Sequence, residues 1–113
     1  MAGEGPYSCG LDAAVDMIGG KWKTLILWAL YSHGPCRFGE LKRQVSGISE
    51  KMLIQQLRQM EADGLIHREV FQQVPPKVEY SMTEFGASLN EALFPLGEWG
   101  ERHMDRIVAT RHR

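Results

Sequence analysis

A mainly α-helical chain with one small β-hairpin is predicted by three features that follow one another between Arg37 and Tyr80. Two short amphipathic segments are separated by the tight turn Ser46-Gly47-Ile48. Two apolar–polar alternating runs, Ile66 to Gln72 and Val78 to Met82, come next. The stiff connection Gln73-Val74-Pro75-Pro76-Lys77 joins them. Helix, turn, helix, hairpin is the layout of a winged helix-turn-helix, a unit that sets its second helix in the major groove of DNA with a hairpin beside it.

The first ten residues are Gly-rich and polar and read as a flexible arm. Leu11, Ala14, Val15 and Ile18 share one face of a short helix, with Asp12 and Asp16 on the other, and Gly19-Gly20 closes it. A second helix is expected from Lys21 to Tyr31. Its stripe is Trp22, Ile26, Ala29 and Leu30, and Leu25, Leu27 and Trp28 widen it, which predicts burial on most sides. His33-Gly34-Pro35 ends that helix, and Cys36-Arg37 reads as extended. A third helix spans Phe38 to Val45, with Phe38, Leu41 and Val45 inward.

Gly47 suits a turn position of positive φ, and Ile48 can pack between the helices. Ser49 is a good N-cap for the next helix, because its hydroxyl can accept a free backbone N–H. Leu53, Leu57 and Met60 then recur at helical spacing to about Ala62, and Asp63-Gly64 stops the run. In the first alternating run Ile66, the stem of Arg68 and Val70 share a side; in the second Val78, Tyr80 and Met82 do. Thr83 caps a last helix carrying Phe85, Leu89, Ala92, Leu93, Leu96, Trp99, His103 and Ile107, with a kink expected at Pro95. The whole chain, 1–113, reads as one domain: arm 1–10, helix-turn-helix and wing 36–82, last helix 83–113.

Composition narrows the function classes. With 43% hydrophobic and 24% charged residues the chain can bury a core without staples. It has no apolar run long enough for a membrane span, and its start lacks a secretory pattern, so a cytoplasmic protein with reduced cysteines is expected. The net charge of -1 does not advertise nucleic acid, but its distribution does. Residues 36–59 hold Arg37, Lys42, Arg43, Lys51 and Arg58 against Glu40 and Glu50, five positive less two negative. Residues 1–20 hold only Glu4, Asp12 and Asp16. The plainer reading of the same charges is a mixed surface that keeps the protein soluble. His33, His67, His103 and His112 are scattered, and no nucleophile–base pair or phosphate-binding loop appears. No enzyme activity, cofactor or metal is therefore expected.

The first turns of a second helix meet base edges, so Ser49, Glu50, Lys51, Met52, Gln55 and Gln56 are the candidate readers of sequence. Gln suits adenine, Lys suits guanine, and Glu can accept from cytosine. Arg58, Lys42, Arg43 and Arg37 are candidate phosphate contacts, which position without reading. Lys77 at the wing tip is placed to meet the backbone or minor groove. Lys51, Gln55 and Arg58 share a face, and the alternative is that this face is merely solvated.

Five segments carry a family resemblance. They are Gly19-Gly20-Lys21-Trp22, Arg37-Phe38-Gly39-Glu40-Leu41, Gly47-Ile48-Ser49-Glu50-Lys51-Met52-Leu53, Glu61-Ala62-Asp63-Gly64-Leu65 and Pro75-Pro76-Lys77-Val78-Glu79-Tyr80. In this order, over roughly residues 9 to 100, they resemble the HxlR-type transcriptional regulators of the MarR-like superfamily. The resemblance implies a bacterial or archaeal DNA-binding homodimer whose first and last helices are dimerisation helices. Leu11, Val15, Phe94, Leu96, Trp99, His103 and Ile107 are then the interface candidates, with Gly97 and Gly100 allowing close helix approach. The alternative is that the last helix packs only on its own domain.

Members of that family often carry a cysteine before the first helix, in some a sensor of oxidants or electrophiles. Cys9 matches the position, although Gly10 stands where proline is usual. Cys9 is therefore either a redox or electrophile sensor or an inert thiol; Cys36 reads as a small packing residue, and a Cys9–Cys36 disulfide stays open. The expected partners are double-stranded DNA, a second copy of the chain and an unknown small-molecule effector, with no membrane. The competing reading is a winged helix used for protein contacts without sequence-specific DNA binding.

Overall fold

The computed structural model describes residues 5–112. Six helices and one hairpin follow in the order α1 (Gly10–Ile18), α2 (Lys21–His33), α3 (Phe38–Gln44), α4 (Glu50–Ala62), β1 (Ile66–Phe71), β2 (Lys77–Met82), α5 (Glu84–Arg102) and α6 (Met104–Arg111). This is the predicted winged helix-turn-helix with helices before and after it.

The core forms where helical spacing concentrates apolar side chains. Ile26, Leu27 and Leu30 of α2, Leu41 of α3, and Leu53, Leu57 and Met60 of α4 are buried around Ile48 and Leu65. Each such Leu or Ile contributes about 1.5–3 kcal/mol by leaving water. Gly47 takes φ +85° in the turn, which drops Ile48 between the helices. The Ser49 hydroxyl accepts the Met52 N–H at 3.0 Å and starts α4 as its sequence demands. Gly64, at φ +78°, turns the chain from α4 toward β1.

The hairpin is antiparallel, with Ile66 opposite Met82, Arg68 opposite Tyr80 and Val70 opposite Val78, so the two expected apolar sides are one face. Only Ile66 of β1 is buried, and Val70 is exposed, because the hairpin leaves the core after its first pair. A second short pairing extends the sheet. Cys36 and Tyr80 exchange backbone hydrogen bonds of 2.9 and 2.8 Å, which ties the residue before α3 to the wing.

Two expectations about helices are corrected. Leu25, Trp28 and Tyr31 of α2 are exposed, so α2 is buried along one side only. The last helix runs on through Pro95 and is interrupted at His103, where α6 begins. Within one chain a Cβ at Gly97 or Gly100 would meet nothing within 4 Å; the close approach expected of them concerns a second copy, and neither marks one within the chain. Gly86 does. A Cβ there would lie 2.0 Å from the Leu65 carbonyl oxygen, so α5 starts in contact with the backbone that leads into β1. Thr83 fixes the same joint. Its hydroxyl accepts the Gly86 N–H at 3.0 Å and donates to the Gly64 carbonyl at 2.6 Å.

The expected arm is partly structured. Residues 1–4 lie outside the described residues, but Tyr7 donates to Asp16, the Ser8 N–H donates to Asp12 at 3.0 Å, and Gly10 already belongs to α1. The Asp16 carboxylate holds the Tyr7 hydroxyl in its neutral form and raises its pKa. Among the described residues no helix is long and apolar enough to cross a membrane.

Candidate nucleic-acid interface

The helix-turn-helix presents α4 by its N-terminal end. Glu50, Lys51 and Gln55 are exposed on its first turns, and Arg58 is exposed one turn further. The same periodicity that buries Leu53, Leu57 and Met60 forces Lys51, Gln55 and Arg58 outward together. The uncapped N–H groups and the positive end of the helix dipole add an attraction for anions at that end. Ser49 is exposed too, but its oxygen is committed to the Met52 N–H, which makes it a positioning residue first.

Two candidates on α4 are turned partly inward. Met52 is half-buried against the core, and Gln56 donates through Nε2 to the Met52 sulfur at 3.4 Å. The Gln56 carbonyl oxygen is buried without a partner among the described residues. The polar type of Gln56 suggested base reading; its place beside Leu53 and Leu57 on the helix explains why it leans on the body instead.

The neighbouring basic residues, candidate phosphate contacts, lie on and just before α3. Arg37 is the residue before α3, and its N–H donates to the Glu40 carboxylate at 2.7 Å. Lys42 and Arg43 stand exposed in the last turn of α3, where the negative end of the helix dipole favours cations. Lys77 is corrected. It opens β2 opposite Phe71 rather than sitting at the tip, and its ammonium lies 3.5 Å from Glu79 and 4.8 Å from the Phe71 ring centre. Residues 72–76 form the tip, with a cis peptide at Val74-Pro75.

One basic residue was missed by the sequence reading. Arg68 lines a cleft of about 420 Å³ with Arg58, Glu61 and Tyr80, between α4 and the hairpin. The pairing of Arg68 with Tyr80 was the signal, since it places Arg68 on the face that looks toward α4.

The remaining candidates lie away from α4. Leu11 and Val15 of α1 are 73% and 57% exposed, and Leu96 and Trp99 of α5 are 60% and 50% exposed. His103 and Ile107 are half-buried at the start of α6. The His103 ring stacks on Trp99 at 4.8 Å, and its Nδ1 donates to the Trp99 carbonyl at 2.8 Å. Phe94 is already engaged within the chain, edge-on to Trp28 at 5.3 Å and to Tyr31 at 5.2 Å. Cys9 is exposed and extended just before α1, whereas Cys36 is buried, and both thiols are free. Burial, with Glu40 and Glu79 nearby, pushes the Cys36 thiol pKa up. Among the described residues no cluster of His, Cys, Asp or Glu could hold a metal ion.

Comparison with known proteins agrees with this architecture. Residues 17–108 match the family model described as HxlR-like helix-turn-helix. The HTH-type transcriptional regulator YkvN of Bacillus subtilis (strain 168) is 53% identical over 103 residues, covering 91% of this chain and 86% of that protein. The redox regulator HypR in its reduced form is 44% identical, with a TM-score of 0.82 over 89% of this chain and 99% of that one. Diamide-treated YodB from B. subtilis is 32% identical, with a TM-score of 0.71 over 83% of this chain and 93% of that one. The family consists of transcriptional regulators rather than enzymes. A helix-turn-helix with its hairpin, matched along most of its length to such proteins, makes this chain a member of the HxlR-like helix-turn-helix family of transcriptional regulators.

Proposed function

We propose that the chain is a sequence-specific regulator that binds an inverted-repeat operator as a homodimer. The observation that carries this reading is the outward stripe Lys51, Gln55 and Arg58 on a helix whose N-terminus is capped by Ser49 and left open to solvent. Lys51, Gln55 and Glu50 read base edges. Arg37, Lys42, Arg43 and Arg58 hold phosphates. Residues 36–82 form the DNA-reading unit, and the helices on either side carry a second copy. The support for dimerisation is the apolar exposure of Leu11, Val15, Leu96 and Trp99, more than a small surface usually leaves in water. A twofold dimer places two reading helices about 34 Å apart, one turn of DNA.

The test is selection of bound duplexes from a random pool by the reduced protein, followed by titration of the winner against a scrambled duplex. The expected result is an inverted repeat with half-site centres about ten base pairs apart, bound about a thousandfold tighter than scrambled DNA. Absence of enrichment would leave the protein-contact reading standing.

A second reading, favoured by the exposure of Cys9 at the start of α1, is that its thiol tunes this binding. HypR, a redox regulator among the solved relatives, supports it. Addition of an electrophile replaces the S–H bond by S–C and loads the end of a helix proposed to hold the dimer. Cys9→Ser should then keep DNA affinity and lose its response to electrophiles; an unchanged response would remove Cys9 from the mechanism.

A further inference from the structure

Lys23 is 4% exposed, on the inward stripe of α2 with Ile26, Leu27 and Leu30. Among the described residues Asn90 is the other polar side chain buried so deeply, and it carries no charge. No carboxylate answers the Lys23 ammonium. Among the described residues the one ion pair joins Lys77 to Glu79. The carboxylates of α1 are engaged elsewhere, Asp16 by the Tyr7 hydroxyl and Asp12 by the Ser8 N–H. The ammonium lies 2.9 Å from where a Cβ of Gly19 would stand, and the Asp16 carbonyl oxygen lies 3.5 Å from the same point. A carbonyl dipole can orient an ammonium but leaves its unit charge uncompensated, and an ion taken out of water needs an opposite charge.

The ammonium can be reached from outside. Among the described residues Gln56 Oε1 is the side-chain polar atom both sealed from solvent and unpartnered, so the Lys23 nitrogen keeps contact with water. Its stem is buried and its tip opens beside Gly19 and Gly20, both exposed. That opening adjoins the N-terminus of the 13-residue α2. Gly20, the N-cap, offers no side chain, and the first turn holds no acidic residue. The Thr24 hydroxyl donates to the Lys21 carbonyl at 2.8 Å and so does not cap this end. The N–H groups of Lys21, Trp22 and Lys23 therefore lack intrahelical partners and form the positive end of the helix dipole. Lys21 adds an exposed ammonium, 4.5 Å from the Trp22 ring centre. Open N–H groups at a helix start suit an oxyanion, and a phosphate group has enough acceptor oxygens to meet both them and an ammonium. We propose that Gly19-Gly20 and the first turn of α2 bind a phosphate group, with Lys23 as its buried counter-charge. None of these residues belongs to the proposed base-reading stripe or to the proposed contact with a second copy, so the site goes beyond the regulator reading. The phosphate belongs either to a phosphorylated small molecule or to the DNA backbone.

The test is titration of the full chain, without DNA, with inorganic phosphate against chloride at equal ionic strength, followed by amide NMR shifts. Saturable shifts at Gly20, Lys21 and Trp22 are expected. Lys23→Met, which keeps the length and removes the charge, should weaken phosphate about tenfold or more. Lys21→Glu, an exposed change that favours a helix start, should abolish binding while circular dichroism shows the helices intact, so the test stands even if Lys23→Met folds poorly. No saturable shift, shifts confined to other residues, or an affinity unchanged in both variants would overturn the proposal. Operator titrations then name the occupant. If it is the DNA backbone, Lys23→Met lowers the salt slope by about 1. If it is a phosphorylated small molecule, the slope is unchanged and phosphate shifts operator affinity in the wild type but not in Lys23→Met. Either result supports the site. The phosphate titration contains no DNA, so failure of the regulator reading cannot be mistaken for failure of this one.

Discussion

Gly86→Ala should destabilise the protein although alanine is the better helix former. The added Cβ would lie 2.0 Å from the Leu65 carbonyl oxygen and 3.0 Å from its carbon. Ordinary contacts between heavy atoms begin at about 3.5 Å, so α5 and the backbone at Leu65 must separate by roughly 1.5 Å. Neither is a flexible side chain that can swing aside. The retreat also stretches the Thr83 hydroxyl away from the Gly64 and Leu65 carbonyls, now at 2.6 and 3.1 Å. Overpacking of this kind costs about 1–3 kcal/mol, and a lost cap adds about 1 kcal/mol. The helix-propensity gain returns up to about 1 kcal/mol. The net is a loss of roughly 2–3 kcal/mol, which lowers Tm by about 10 °C in a chain of this size. Thermal unfolding followed by circular dichroism at fixed concentration reads it directly. Gly97→Ala is the control, because its Cβ meets nothing within 4 Å on the same helix, and it should melt at or above the wild-type temperature. A Gly86→Ala protein as stable as wild type would refute the close-contact reasoning.

The other predictions divide the surface by role. Lys51→Ala or Gln55→Ala should cost about 1–3 kcal/mol of specific DNA binding and relax base preference, whereas Arg43→Ala should lower affinity for all sequences and reduce the salt slope by about 1. Lys77→Ala should change that slope less than Arg43→Ala, since Glu79 and the Phe71 ring already hold its ammonium. Leu11→Glu and Val15→Glu should leave monomer stability within about 0.5 kcal/mol, as expected for exposed sites, and shift sedimentation from dimer to monomer. Under native conditions a disulfide reagent should titrate Cys9 and spare buried Cys36, with both reacting in denaturant. Because folding raises the Cys36 pKa, the unfolded chain releases that proton first as pH rises. This thiol should therefore lower stability above its ordinary pKa and leave it unchanged below; a wild-type stability curve that does not fall more steeply there than that of Cys36→Ala would remove the effect.

Much of the helix-turn-helix was legible because its signals are local. The Ser49 cap, the glycine at 47 and the Leu53–Leu57–Met60 spacing each act within a few residues, and each appears as expected. What escaped depends on distant partners. The pairing of Cys36 with Tyr80 joins segments remote in sequence, and nothing near Cys36 announces it. Trp28 and Leu25 look like core by type, but which face of α2 meets the body is set by where α5 lies. Gly86 resembles any helical glycine until Leu65 is found against it. The break at His103 was hidden by the stronger local signal of Pro95. In the candidate site, Lys51, Gln55 and Arg58 were readable from spacing alone, whereas Lys77 was misplaced because the hairpin register decides which residues form the tip.

The contact of Gly86 with Leu65 also has a mechanical meaning. With the Leu65 carbonyl against Gly86 and Thr83 clamped beside it, the start of α5 is a tight joint with no room to move closer to the backbone at Leu65. From Gly86 to Arg102 the helix extends about 24 Å at 1.5 Å per residue. A rotation of about 5° at the pivot therefore carries the far end through roughly 2 Å, more than half the rise of about 3.4 Å between successive bases of one strand. On the dimer proposed above, small angular changes at this joint would become changes of register at the end of the arm.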